Sequence, residues 1–171
     1  GGPQAGLIAG RADLVAMIKK NPLKRALRLD KMTLAALAEI LKLYRNPEQL
    51  TRKLPTLRLL TRSATDIRAQ AENLLPGIAR CLEHRFDTSV EDCLSQIGSG
   101  SLPVETLPSA ALKIQPVSGN DSDLRELAEQ LRRLPIPVIA RLHKGALWLD
   151  LRCLEPGHEA AFASQMEALA P

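Results

Sequence analysis

A group of basic residues near the start of the chain is the pattern most suggestive of chemistry. The stretch KKNPLKRALRLDK, residues 19–31, contains six cations and one acid. Asn21 can cap a helix and Pro22 suits its first turn, so this stretch is predicted to begin as a helix. At 3.6 residues per turn, Arg25 and Arg28 would then lie one above the other on one face.

Two guanidinium groups at this spacing are suited to binding an oxyanion. Each presents a planar fork of donors, and the free N–H groups of a helix N-terminus also favour anions. Arg25 and Arg28 are therefore candidate phosphate ligands, and Lys24 and Lys31 flank Arg28 at similar spacing. The alternative is a solvated basic face, because runs of like charge are usually exposed.

The composition indicates a folded α/β protein rather than a disordered chain. With 171 residues and 45% apolar residues, the chain can bury a core as one domain, or as one domain and part of another. Aromatic residues make up only 2%, which argues against a protein that stacks the bases of single-stranded nucleic acid. The net charge of +4 is compatible with an acidic partner but does not demonstrate one.

The cysteines and histidines do not form a pattern typical of a metal site or a disulfide framework. Cys81, Cys93 and Cys153 are odd in number and far apart, and we expect buried, structural thiols in a reduced, cytoplasmic setting. His84, His143 and His158 have no mutual spacing typical of ligands or of a catalytic dyad. No apolar run approaches the roughly 18 residues of a membrane span, so we expect no membrane partner.

The first half of the chain has the pattern of one strand followed by helices. QAGLIAG, residues 4–10, is a short apolar run typical of a buried strand. Apolar periodicity predicts helices over residues 11–20, 33–45, 48–53 and 55–83, with Pro76-Gly77 kinking or interrupting the last. The buried stripe of the second helix is predicted at Leu34, Leu37, Leu41 and Tyr44. A second basic series is expected to be exposed, at Arg52, Arg58, Arg62 and Arg68.

The second half has the pattern ββαββα. Strands are predicted over residues 86–96, 110–116, 138–143 and 146–152, with the turn GSGSLP at residues 98–103 between the first two. Asp121 or Ser122 is expected to cap a helix whose buried side chains are Leu124, Leu127, Leu131 and Leu134, and a last helix is predicted over residues 159–169. The fold class is therefore α/β, with an antiparallel or mixed sheet in this half.

The dipeptide Lys144-Gly145 predicts a two-residue hairpin turn, which fixes the register of the last two strands. Three pairs should share the buried face: Leu142 with Leu147, Ala140 with Leu149, and Val138 with Leu151. On the other face Arg141 should meet Trp148 as a cation–π pair, and Ile139 should meet Asp150.

Six separated blocks resemble one protein family in the same order. They are GGPQAG (residues 1–6), KNPLKRALRLDKMTLAAL (20–37), LPTLRLLTR (54–62), CLSQIGSGSLP (93–103), LPSAAL (107–112) and GALWLDLRCLE (145–155). Together they resemble the bacterial selenocysteine synthases, the L-seryl-tRNA(Sec) selenium transferases. The similarity spans nearly the whole chain.

This resemblance implies the C-terminal portion of a fold-type-I pyridoxal-phosphate enzyme. Residues 1–46 would be the end of the large cofactor domain with the anion-binding helix, residues 47–83 connecting helices, and residues 84–171 a small α/β domain. The whole enzyme would convert seryl-tRNA(Sec) to selenocysteinyl-tRNA(Sec) with selenophosphate. It would be a cytoplasmic homo-oligomer, a pentamer of dimers.

By the same resemblance, Arg25 and Arg28 would hold selenophosphate. Lys24 and Lys31 either add general attraction for phosphate or tRNA or are solvated surface charges. The cofactor lysine would immediately precede Gly1, so no catalytic residue is expected within the chain, which should be inactive alone. The turn formed by Gly2, Pro3 and Gln4 either lies beside the cofactor or is required only by the fold. The alternative function is a non-catalytic oligomerisation or tRNA-binding module.

Overall fold

The computed structural model describes residues 2–97 and 105–169. The chain forms two compact units, Gly1–Arg58 and Leu59–Pro171. The predicted turn at residues 98–103 lies outside the described residues, and the division into three segments at residues 46 and 83 stays a prediction.

The N-terminal unit is helical. Its elements are α1 (Ala12–Lys20), a 3₁₀ helix (Pro22–Arg25), α2 (Lys31–Leu43) and α3 (Pro47–Lys53), followed by the start of α4 (Pro55–Leu60). These bounds confirm the predicted helices over 11–20, 33–45 and 48–53 to within two residues.

The predicted strand over residues 4–10 is wrong. No strand is assigned there, and Leu7 and Ile8 are 66% and 71% exposed. A buried strand needs neighbours that pair with its N–H and C=O groups, and the described part of the N-terminal unit contains no strand. The apolar run therefore stays extended and unpaired.

The buried stripe predicted for α2 is mostly wrong. Leu37 is half-buried, but Leu34, Leu41 and Tyr44 are about half exposed. The amphipathic pattern identified the helix but not a buried face, because most of the large apolar side chains of the N-terminal unit remain exposed.

The long helix predicted over residues 55–83 is two helices. α4 ends at Leu60, and α5 runs from Ala64 to Leu82 without interruption at Pro76. Ser63 has extended φ/ψ, and its hydroxyl accepts a hydrogen bond from the Asp66 N–H at 3.0 Å. Because an N-cap residue must leave the helical conformation, the break falls at residues 61–63 rather than at the proline.

The C-terminal unit contains the predicted ββαββα order. Its elements after α5 are β1 (Phe86–Gln96), β2 (Thr106–Pro116), α6 (Asp121–Arg132), β3 (Arg141–His143), β4 (Ala146–Asp150) and α7 (Glu159–Met166). All three strand pairs are antiparallel and the strand order is β1-β2-β4-β3, which decides between the two sheet types expected. The cap of α6 is Asn120, whose side chain accepts from the Ser122 N–H, rather than Asp121 or Ser122.

One face of this sheet is packed against helices. The core side chains from the sheet include Leu112, Ile114, Leu147 and Leu149, and α5 contributes Ile67, Ala71, Leu74 and Ile78. The four leucines predicted for α6, at 124, 127, 131 and 134, are all buried, and α7 adds Phe162 and Met166. The predicted α/β class is confirmed.

The hairpin has the predicted register but is shorter than predicted. Lys144 and Gly145 both have positive φ, 49° and 67°, as a two-residue type I′ turn requires. Leu142 pairs with Leu147 as predicted, yet Leu142 is 46% exposed because β3 is a three-residue edge strand. Leu149 and Leu151 are buried as expected. The pairs predicted for Val138, Ile139 and Ala140 do not form, since these residues precede β3.

The cation over the Trp148 ring is Lys113 rather than Arg141. Arg141 lies opposite Trp148 in the ladder, but the Lys113 ammonium is 5.7 Å from the ring centroid. Lys113 is the partner of Trp148 on the other neighbouring strand, β2. The sequence pattern identified only one of the two cations adjacent to the ring.

Two arginines of the C-terminal unit, Arg62 and Arg152, each donate hydrogen bonds to backbone carbonyls of the segment that contains the other. Arg62 Nη1 donates to the carbonyls of Leu151, Arg152 and Leu154 at 2.7–3.0 Å. The expectation of an exposed basic series is therefore wrong for Arg58, Arg62 and Arg68, which are half-buried, and only Arg52 of the series is exposed. Arg68 of the same series forms an ion pair with Asp92 on β1 at 2.6 Å.

Arg152 is 5% exposed, and it donates to the segment that contains Arg62. Its Nη1 donates to the carbonyls of Leu59, Leu60 and Arg62 at 3.0–3.1 Å, and its Nε donates to the Ser95 hydroxyl at 3.1 Å. Its Nη2 donates to the Pro108 carbonyl at 2.5 Å. The buried Arg152 side chain therefore connects the end of α4 and the break before α5 with strands β1 and β2.

Leu149→Ala should lower the free energy of unfolding of this chain by about 2 to 5 kcal/mol, because it removes a side chain enclosed between the sheet and the helices. Leu142→Ala, on the half-exposed edge strand, is the matched control and should cost about 1 kcal/mol or less. Urea titration measures both. Equal losses in the two variants would contradict the assignment of the buried face.

Arg152→Met should destabilise the chain by about 3 kcal/mol or more, because it leaves several buried carbonyls without a donor. Arg132→Met, on an exposed side chain of α6, should change the unfolding free energy by less than about 0.5 kcal/mol. Thermal and urea unfolding followed by circular dichroism measure both variants. A loss for Arg152→Met no larger than that of the control would contradict the structural role of this side chain.

Candidate anion-binding site

The basic segment, residues 19–31, lies between the end of α1 and the start of α2. Asn21 ends α1 and caps the 3₁₀ helix, because its Oδ1 accepts from the Leu23 N–H at 2.9 Å. The predicted cap at Asn21 and the predicted proline in the first turn are therefore confirmed.

The prediction that Arg25 and Arg28 stack on one helical face is wrong. The 3₁₀ helix ends at Arg25, and Arg28 lies in irregular backbone before α2. Asp30 then caps α2 with an extended backbone, φ −69° and ψ 166°, so no single helix runs through residues 25–31.

Asp30 makes three hydrogen bonds at the start of α2. Its carboxylate accepts from the N–H groups of Met32 and Thr33 at 2.8 and 2.9 Å and from the Thr33 hydroxyl at 2.6 Å. The Thr33 hydroxyl and these N–H groups hold the pKa of the Asp30 carboxyl below its usual value. The cap is therefore formed at neutral pH and is weakened only as the pH falls through that lowered pKa.

The two arginines are exposed and available to a ligand. Among the described residues, neither the Arg25 nor the Arg28 side chain has a hydrogen-bond or ion-pair partner, and the same holds for Lys24 and Lys31. The segment's only acid, Asp30, is occupied by the start of α2. Four cations within eight residues therefore lack a counter-charge within this segment.

Lys24 and Arg28 line a common cleft of about 580 Å³ in the N-terminal unit. The remaining lining is Asn21 together with Gly6, Ile8, Ile18, Leu23, Leu27 and Leu29. Arg25 does not line this cleft. The sequence placed Arg25 and Arg28 on one helical face, and the cap at Asp30 was missed. An Asp three residues before a Thr at the start of an apolar run is a recognisable helix start.

The sequence matches a known family over most of its length. The family model described as L-seryl-tRNA selenium transferase matches residues 1–155. The chain belongs to the L-seryl-tRNA selenium transferase family. The resemblance recognised from the six sequence blocks is therefore confirmed.

Relatives of this family named L-seryl-tRNA(Sec) selenium transferase include proteins of Escherichia coli (strain SMS-3-5) and Shigella boydii serotype 18. Each is 58% identical over 155 residues, which cover 91% of this chain and 34% of the relative. The chain therefore spans about a third of the length of these L-seryl-tRNA(Sec) selenium transferases.

The backbone conformation at position 2 requires glycine. Gly2 has φ 128°, and a Cβ at this position would lie 3.2 Å from Cγ1 of Ile40 on α2. Both the left-handed backbone and the close approach demand glycine. Pro3 is half-buried and Gln4 is exposed. A role of Gly2, Pro3 and Gln4 beside a cofactor stays a prediction.

The three thiols belong to the C-terminal unit. Cys81 and Cys93 are half-buried, and Cys153 is exposed, so the expectation of buried thiols is wrong for Cys153. Burial, with a smaller effect of the Asp150 charge, raises the pKa of Cys93 to about 11. Among residues 2–97 and 105–169, no group of three or more His, Cys, Asp or Glu side chains could hold a metal ion. No helix in those ranges is long and apolar enough to cross a bilayer.

Cys153 should react with iodoacetamide at pH 8 well before Cys93. With a pKa about three units above this pH, only about one Cys93 thiol in a thousand is the reactive thiolate, and the side chain is half-buried. Peptide mass spectrometry of a labelling time course measures both. Urea-unfolded protein, in which burial is lost, is the control and should label at similar rates at both positions. Equal rates in the folded protein would contradict the raised pKa.

Proposed function

We propose that this chain is the part of an L-seryl-tRNA(Sec) selenium transferase that binds the selenium donor. In this proposal Arg25 and Arg28 hold the phosphate group of selenophosphate. The observation that carries it is the pair of exposed guanidinium groups without a partner, held between the Asn21 and Asp30 caps. Membership of the family supplies the substrate class.

The chemistry of selenium transfer requires a cationic grip on the donor. The phosphate group leaves with negative charge after selenium has moved, and a guanidinium group neutralises that charge and fixes the orientation through paired N–H donors. Arg25 follows Lys24 in the 3₁₀ helix, while Arg28 lies in the irregular backbone beside the cleft. We propose that the guanidinium group of Arg25, on the 3₁₀ helix, and that of Arg28, on irregular backbone, both bind the phosphate. In this proposal Lys24 and Lys31 add electrostatic attraction for phosphate or tRNA.

The whole protein would use pyridoxal phosphate, held by a lysine upstream of Gly1. When bound, this cofactor supplies the electron sink for chemistry at the serine side chain. The residues present fit a supporting role, because Gln4, which follows the turn at Gly2, is exposed and its amide has no partner among the described residues, so it can donate to a phosphate oxygen. This chain's own contribution would be the turn and the anion-binding residues, so the chain alone should be inactive.

The remaining features of the proposal follow from the family. The full-length protein would have fold type I and act in the cytoplasm, with residues 1–46 ending the large domain, 47–83 connecting, and 84–171 forming the small domain. It would assemble as a homo-oligomer, a pentamer of dimers, and take seryl-tRNA(Sec) as substrate. The exposed apolar side chains of the N-terminal unit, such as Leu7, Ile8 and Met17, support the view that further polypeptide covers them.

In the full-length protein, Arg25→Ala and Arg28→Ala should each reduce selenium transfer by about 10- to 150-fold at limiting selenophosphate, because each removes charge-assisted hydrogen bonds worth roughly 1.5 to 3 kcal/mol. Lysine at either position should rescue only partly, because it lacks the planar fork. Single-turnover conversion of seryl-tRNA(Sec) at varied selenophosphate concentration measures the effect.

The matched control is Arg132→Ala, which removes an exposed, unpaired guanidinium from the C-terminal unit. It should leave the donor dependence unchanged. An unchanged donor dependence in both Arg25→Ala and Arg28→Ala would contradict the proposed site. A defect confined to tRNA binding would instead favour the alternative function, a tRNA-binding or oligomerisation module without a role in donor binding.

A further inference from the structure

The sheet of the C-terminal unit has a second face, opposite the helices. Side chains alternate between the faces along a strand, so the neighbours of the buried Leu112, Ile114, Leu147 and Leu149 point away from the core. In the ladder Ser89 lies opposite Lys113, Lys113 opposite Trp148, and Trp148 opposite Arg141. These four side chains therefore form one row, the Ser89–Arg141 row, across all four strands.

Trp148 is fixed at the centre of this row. Its Nε1 donates to the His143 carbonyl at 3.2 Å, and the Lys113 ammonium lies 5.7 Å from the centroid of its ring. The side chain is only half-buried. The row therefore presents a rigid aromatic group beside a cation.

The end of the row at β3 is positively charged and without partners. Arg141 is exposed, and among the described residues its guanidinium has no hydrogen bond or ion pair. Lys144, in the adjoining turn, is also exposed and unpaired within those residues.

The acids on the same face do not neutralise this end. Asp150, diagonally across from Arg141, accepts from the Ser95 and Ser109 hydroxyls at 2.5 and 2.8 Å. Glu91 lies on β1, at the opposite edge of the sheet. Among the described residues neither acid forms an ion pair with Arg141, so its guanidinium donors can bind an external anion.

We propose that the Ser89–Arg141 row is a contact surface for the sugar–phosphate backbone of tRNA. A free guanidinium group matches a phosphate in charge and geometry, and aromatic and basic side chains on an open sheet face are suited to RNA. The inference rests on the proposed function, which makes seryl-tRNA(Sec) the substrate. It adds a tRNA contact in the C-terminal unit to the donor site of the basic segment.

Charge complementarity favours RNA over a second copy of this chain as the occupant. A two-fold contact whose axis passes at the β3 end of the row would place Arg141 and Lys144 near their own counterparts, where like charges repel. Lysine is also depleted from the centres of protein interfaces, whereas protein–RNA surfaces require such cations.

The test uses the full-length protein and an unacylated tRNA(Sec) transcript, with Kd measured over a series of salt concentrations. Arg141→Ala should weaken binding by about tenfold at low salt, and it should reduce the slope of log K against log salt by about one, the value for one lost phosphate contact. Arg141→Lys keeps the charge and should retain most of the slope. The control is Arg132→Ala, an exposed arginine on α6 at the helix-covered side of the sheet, which should bind as the wild type does.

Wild-type Kd and slope in Arg141→Ala would overturn the inference. A change of oligomer size in Arg141→Glu, measured by light scattering, with unchanged tRNA binding would also overturn it and indicate a contact between subunits. If the wild-type protein makes no selenocysteinyl-tRNA(Sec) but Arg141→Ala still weakens its binding of tRNA(Sec), the proposed function fails while the RNA contact stands. If the wild type converts seryl-tRNA(Sec) and Arg141→Ala binds tRNA equally well, only the contact fails.

Discussion

The buried guanidinium group of Arg152 is the constraint on which the C-terminal unit depends. A charged side chain that is 5% exposed is tolerated only where its donors are satisfied, and here it donates to four backbone carbonyls and one hydroxyl. Two of the carbonyls, those of Leu59 and Leu60, are the last two of α4, and a third, that of Arg62, lies in the break before α5. Arg152 therefore holds the end of α4 and the following break against the sheet with side-chain donors.

Arg62 makes the arrangement reciprocal. It occupies the break between the helices and donates back to the turn that follows β4, while Gln70 accepts from its Nη2 at 2.7 Å. Each arginine thus satisfies the carbonyls of the other's segment. The start of α5 is therefore connected to the segment after β4 by these hydrogen bonds as well as by the apolar core.

The sequence predicted elements more reliably than it predicted their surroundings. Strand β1, the hairpin register and the α6 leucines follow from local alternation, turn residues and 3.6-residue spacing, and the structure contains all of them. Burial in α2 and the strand at residues 4–10 were wrong, because burial depends on partners that local spacing does not specify. Arg62 was expected to be exposed, because its carbonyl partners lie about 90 residues away in the sequence, and the buried position of Arg152 depends on contacts over the same separation.

The site shows the same division. The sequence identified Asn21 as a cap and Arg25 and Arg28 as a charged pair. A second cap, Asp30, has an extended backbone, and Arg28 lies in irregular backbone before it rather than on one helical face with Arg25. The family was recognised from six blocks of sequence in the same order, and that recognition does not depend on a correct prediction of local secondary structure. The residues of the basic segment could therefore be named from the sequence, while their arrangement required the backbone.

The helix α7 has a consequence for where the C-terminal unit of this chain ends. The family match stops at residue 155, yet Phe162 and Met166 of α7, at Glu159–Met166, are buried in the core formed by α5 and the sheet. A polypeptide cut at the end of the match would expose an apolar surface that this helix now covers. The physical boundary of the folding unit therefore lies at least one helix beyond the end of the family match.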